Sequence, residues 1–208
     1  MTAFTDEELQ LAAQLSIPGG WDKAEAKPLK DKIKPVLLAK TSHCCCYCRR
    51  SMHGWHGLTI DIEHVLPKGN GKFSKYTFEL RNLSVSCKRC NMSIKGSDTS
   101  FYSADFNEPD PFKSEHYKFI HPNLDNIDDH LEFVSEQHNA KIMVKYSIAV
   151  GSHKGNYAYQ YFKLEKLEIN SFDDAQDLPV VLPSEALPPD IAMEIAEVVD
   201  SAEAQEIN

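Results

Sequence analysis

The chain has 208 residues and a formal net charge of -9, from 22 basic and 31 acidic side chains. That length suits one domain, or one domain with an appendage, and 42% hydrophobic residues exclude wholesale disorder. No apolar run approaches the roughly 18–20 residues of a membrane span, and the acidic total argues against a nucleic-acid partner. The total is an average, however. Residues 171–208 carry ten carboxylates and no Lys or Arg, whereas 23–95 carry 15 basic against 5 acidic side chains, a net of +10.

In chain order, the first segment, MTAFTDEELQLAAQL, is acidic and amphipathic. A secretory signal would start basic and continue apolar, so the protein reads as cytoplasmic. Thr5-x-x-Glu8 is a capping-box pattern and predicts a helix over about 5–16, stopped by Pro18-Gly19-Gly20. A second helix is expected over about 28–40, with Pro28 in its first turn and Pro35 kinking or restarting it. Residues 43–65 read as a hairpin, because Leu58, Ile60 and Ile62 alternate with Thr59, Asp61 and Glu63. Its tip, SMHGWHG, offers His53, Trp55 and His56 for stacking on nucleic acid or for packing against the rest of the protein.

Residues 67–78 are rich in Gly and Lys and read as a loop. A short helical segment follows Cys87 and ends near Gly96. Val134 and 142–148 look like two strands of a hairpin, and 156–167 looks like a helix. Residues 173–183 have the composition of a linker. From Pro189 to about Ala204, Ile191, Ile195, Val198, Val199 and Ala202 fall on one helical face.

Cys45-x-x-Cys48 and Cys87-x-x-Cys90 each present two thiolates to one tetrahedral ion, and together they make a four-sulfur zinc site. Such an ion would pin a hairpin to a distant helix start and contribute folding energy directly. The run Cys44-Cys45-Cys46-Tyr47-Cys48 leaves the first ligand open; Cys45 gives the usual gap, and Cys44 and Cys46 are then small thiols. Between the pairs lies Asp61-Ile62-Glu63-His64-Val65-Leu66-Pro67, followed by Arg81-Asn82-Leu83 and then Cys90-Asn91. A lone Glu-His pair means little, since most such histidines are satisfied surface or core residues.

The order of these pieces closely resembles the HNH endonuclease motif, over about 45–96. The resemblance implies an α+β protein with a ββα-metal finger and structural zinc, embedded in a small mixed domain. Helices would occupy 1–42, the motif 43–97, a mixed α/β extension 98–170, and an acidic linker with a C-terminal amphipathic helix 171–208. It implies His64 as general base activating a water toward phosphorus. Glu63 would be the metal-binding acid, where the family more often has Asp. Asn91 would be the second metal ligand, and Asn82 the structural Asn that orients the histidine. Two oxygen ligands favour Mg2+ or Mn2+ for the catalytic ion.

Arg49, Arg50, Lys68, Lys72, Lys75, Lys88, Arg89 and Lys95 surround the motif and suit contact with phosphate oxygens. The expected activity is therefore phosphodiester hydrolysis, of DNA in the first instance. RNA, including transfer RNA, and a non-catalytic zinc module are the alternatives.

The stretch His121-Pro122-Asn123-Leu124-Asp125-Asn126-Ile127-Asp128-Asp129-His130 is rich in turn formers, and His121 or Asp125 is also a candidate to approach the metal or substrate. Its layout resembles small HNH proteins of antiphage systems, the Septu-type and retron-associated nuclease subunits, which work with an ABC-type ATPase. The acidic tail would then fold back, dock on such a partner or cover the basic surface.

Overall fold

Thr5 opens the first helix. Its hydroxyl accepts from the Glu8 amide at 3.2 Å and the Glu8 carboxylate accepts from the Thr5 amide at 2.7 Å, which closes the capping box on α1, Asp6–Leu15. The computed structural model describes residues 4–169; the expected linker over 173–183 and helix over 189–204 lie outside them. After α1 the chain reverses at Gly19 and Gly20. A Cβ on Gly20 would fall 2.0 Å from the Leu15 carbonyl oxygen, so this return needs glycine.

Helix α2 runs unbroken over Lys27–Lys40, with Pro35 inside it. Pro35 and Asp31 both face solvent, so water can meet the Asp31 carbonyl that the missing N–H leaves free. Leu29, Ile33 and Leu37, four residues apart, form the buried stripe.

The expected hairpin over 43–65 is not formed. Residues 44–51 make a tight turn of their own, closed by a Cys44–Ser51 bridge and by the Cys45 amide donating to the Arg50 carbonyl. Strand β1, Ile60–His64, pairs instead with β2, Leu83–Cys87, antiparallel from Ile60 opposite Cys87 to His64 opposite Leu83. The spacing of the cysteines makes the local turn, and the apolar alternation of β1 finds its partner far along the chain. The Gly- and Lys-rich connection holds a 3-10 segment, Gly71–Tyr76. Beyond β2 comes a π-helical segment, Arg89–Lys95, so the order here is strand, strand, helical turn.

Strands β3, Leu131–His138, and β4, Lys141–Ile148, form a second antiparallel pair. Helix α3 covers His153–Tyr161, earlier than the spacing predicts. The Ser152 hydroxyl caps its start, and Lys163 in the left-handed region (φ 51°) separates it from the 3-10 segment Leu164–Leu167. One cluster of buried side chains runs from Ala12 to Leu167. Tyr47 stacks on Phe162 at 4.2 Å and the Tyr146 hydroxyl donates to the Cys48 carbonyl at 2.6 Å, so the cysteine turn and the extension share that core. The described residues therefore form a mixed α+β arrangement of two small sheets and short helices. No described helix is long and apolar enough to cross a membrane.

Candidate metal centre and adjoining histidine pocket

The turn at 44–51 and the end of β2 bring four sulfurs together. The Sγ atoms of Cys45, Cys48, Cys87 and Cys90 lie within 4.8 Å of one another, and all four residues are buried. Buried sulfurs this close trade protons. Hydrogen bonds from Cys45 and Cys48 hold the Cys87 thiol well below its usual range, while bonding to Cys45 pushes Cys48 and Cys90 up. A cation is what allows several thiolates to coexist in such a space, and the set of four suits zinc. Cys46 points elsewhere, its thiol pushed up by burial. Cys44 is half-buried at the turn's edge.

Alternate residues of β1 face opposite sides, so Asp61 and Glu63 share one face and His64 lies on the other. The helical segment covers the acidic face in register. Asn91 meets Asp61, its Nδ2 donating to Oδ2 at 3.1 Å, and Lys95 meets Glu63, with Nζ 2.8 Å from Oε1. Glu63 is fully buried, its Oε1 bound by Lys95 and by the Tyr47 hydroxyl at 3.0 Å while its Oε2 has no partner, and the carboxylate beside Asn91 is that of Asp61. Lys95 is 2% exposed, and an ammonium committed to the Glu63 carboxylate and to the His64 carbonyl at 2.9 Å does not reach a phosphate. Asp61 was not among the expected site residues. Its position two residues before Glu63 on an alternating strand was the signal that could have found it.

His64 ends β1. Its ring meets the edge of Trp21 at 4.4 Å and its Nε2 lies 3.0 Å from the Thr77 carbonyl. A carbonyl only accepts, so the pairing assigns the proton to Nε2 and the lone pair to Nδ1. Burial, with the ammonium charges of Lys68 and Lys95, pulls its pKa down to about 3, and the ring is neutral at pH 7. The histidine lines a pocket of about 130 Å3 with Ile62, Lys68 and Asn91.

The loop that leaves β1 is held by Asn82. Its Oδ1 accepts from the Leu66 amide at 2.7 Å, its Nδ2 donates to the carbonyls of Leu66 and Tyr76, and its own carbonyl accepts from Val65. Three of these four bonds fall just after His64, at Val65 and Leu66, and fix the path of the chain leaving it.

The remaining basic residues are spread out. Lys68 reaches the histidine pocket while paired with Asp22 at 2.9 Å, and Lys88 pairs with Asp61 at 2.9 Å. Lys72 pairs with Glu108, Lys75 lies over the Tyr76 ring, and Arg89 donates to the Lys163 carbonyl. Arg49 and Arg50 line a separate groove of about 1080 Å3, with Trp55 and the β3–β4 hairpin. His121 and Asp125 do not join the pocket. His121 is fully buried against Tyr117, and Asp125 is paired with Lys154 at 2.6 Å. Comparison with known proteins returns no match: no protein family, no curated protein and no solved structure is matched by this chain.

Proposed function

We propose that the chain is a metal-dependent endonuclease of the HNH type that hydrolyses phosphodiester bonds of DNA. The observation that carries this reading is the meeting, in one small pocket, of His64 with Asn91, whose amide touches the Asp61 carboxylate. His64 Nδ1 takes a proton from a water aimed at phosphorus. The Thr77 carbonyl on Nε2 keeps the ring from turning, and Lys95 fixes the backbone behind it.

The acid–amide pair fits a small hard cation. A half-turn of the Asn91 amide puts an oxygen where Nδ2 lies, 3.1 Å from Asp61 Oδ2. Neighbouring oxygens on an octahedral Mg2+ are about 3 Å apart. Asp61 and Asn91 would hold that ion, which when bound supplies Lewis-acid stabilisation of the charge that builds on phosphate. In this reading Lys88, now on Asp61, gives way to the ion. The extension to an antiphage setting with an ATPase subunit rests on resemblance of layout alone.

The test is cleavage of plasmid DNA and of transfer RNA with Mg2+ or Mn2+, by wild type and His64→Ala. DNA cleavage lost in the variant is the expected result. Equal cleavage by both removes His64 from the mechanism, and cleavage of RNA only moves the substrate class. A non-catalytic zinc module is the second reading, favoured by the lysine found on each of the β1 carboxylates. It predicts that Asn91→Ala leaves biological activity intact.

A further inference from the structure

Lysines on α2 divide into two kinds. Lys27 pairs with Asp31, and Lys32 pairs with Glu8 at 2.5 Å. Lys30 and Lys34 have no carboxylate among the described residues. Lys30 Nζ donates to the Trp21 carbonyl at 3.1 Å and lies over the Trp21 ring at 5.5 Å, and Lys34 Nζ donates to the carbonyls of Gly57 and Ile60 at 2.8 and 2.6 Å. Neutral acceptors fix the position of an ammonium and leave its charge in place. These two lysines line the same groove, of about 560 Å3, whose far wall carries Lys88 and Met92 and whose floor is β1. Both carboxylates in that groove, Asp31 and Asp61, already have a lysine each. The groove is therefore cationic by its two α2 side chains.

It also adjoins the histidine pocket, because Ile62 and Asn91 line both. Its rims are apolar, with Leu58 75% and Met92 65% exposed, surfaces on which sugars and bases can rest. We propose that this groove binds one strand of DNA beside the site of cleavage, with Lys30 and Lys34 contacting successive phosphates. The inference rests on the nuclease reading for what the groove serves, whereas the binding itself needs no hydrolysis. Neither lysine lies near the cysteine–histidine motif in sequence. The spacing of four on a helix is what places both on one face.

The experiment measures binding of labelled single-stranded DNA by the full zinc-loaded chain, by fluorescence anisotropy across a salt series, with no chelator and no added Mg2+ or Mn2+. Lys30→Gln/Lys34→Gln is expected to weaken binding and to flatten the slope of log K against log salt by about 1.4, two phosphates at roughly 0.7 each. Lys27→Gln, whose charge is already paired, is expected to bind as wild type does. Because Lys34 also bonds two carbonyls, Lys30→Glu serves as a second variant that leaves those bonds alone, and thermal melts verify folding of each. An unchanged affinity and slope in a folded Lys30→Glu chain overturns the proposal, as does no binding by wild type at low salt. Loss of cleavage in His64→Ala with binding intact keeps both readings. A binding chain that never cleaves, with any metal, leaves the groove and removes the nuclease.

Discussion

Glu63 and Lys95 face each other in the core with 0% and 1% side-chain exposure, and the same ammonium holds the His64 carbonyl. Removing one member of a buried pair leaves the other charge uncompensated, at a cost of about 3–5 kcal/mol. Lys95→Met should therefore destabilise the chain by that amount in denaturant melts, and Lys95→Met with Glu63→Gln should recover most of it. A Lys95 acting on DNA would instead alter binding and leave the melt alone.

His121 carries a different kind of strain. Its Nδ1 accepts from the Asn123 amide, its Nε2 has no partner, and burial pulls its pKa down to about 3. The unfolded chain, with the ordinary value near 6.5, binds the proton that the folded chain refuses, so stability falls as pH drops below about 6.5 toward 3. His64 adds to the same window. Melts from pH 7 to 5 should show this fall, and His121→Gln should flatten it. A slope unchanged in the variant would remove His121 as its source.

At the scale of elements, the two cysteine pairs come together although Cys48 and Cys87 are 39 positions apart in the chain. Metal analysis should find one zinc per chain in wild type and in Cys46→Ser, and loss of zinc with loss of the cooperative melt in Cys90→Ser. Zinc retained by Cys90→Ser would exclude the four-sulfur set. Much of this level could be read in advance. The capping box of α1, the β3–β4 alternation and the cysteine spacing are local patterns, and local patterns survive into the structure. What escaped was pairing and depth. Nothing local tells β1 that its partner is β2, because the turn at 44–51 satisfies its own backbone. The period of two puts Asp61 and Glu63 on one face, but which of them meets Asn91 depends on how the π-helical segment sits. Lys95 reads as a surface cation because burial of a lysine is rare unless it is paired.

Over the whole molecule, charge is divided along the chain. Without 171–208 the remainder has 22 basic and 21 acidic side chains. Deleting 173–208 should therefore strengthen non-specific DNA binding at low salt, with the gain fading as salt rises. Unchanged affinity would exclude screening by the tail. The four-sulfur cluster carries a consequence of another sort. Its four sulfurs come from a turn and a strand end that only the folded chain brings together, so for a zinc held there occupancy and folding would be one equilibrium. Once the site is well populated, each tenfold rise in free zinc adds about 1.4 kcal/mol to the unfolding free energy. The His64 pocket is built on the strand that β2 completes, and with zinc as the occupant the fraction of chains able to form it would become a gauge of the free zinc around them.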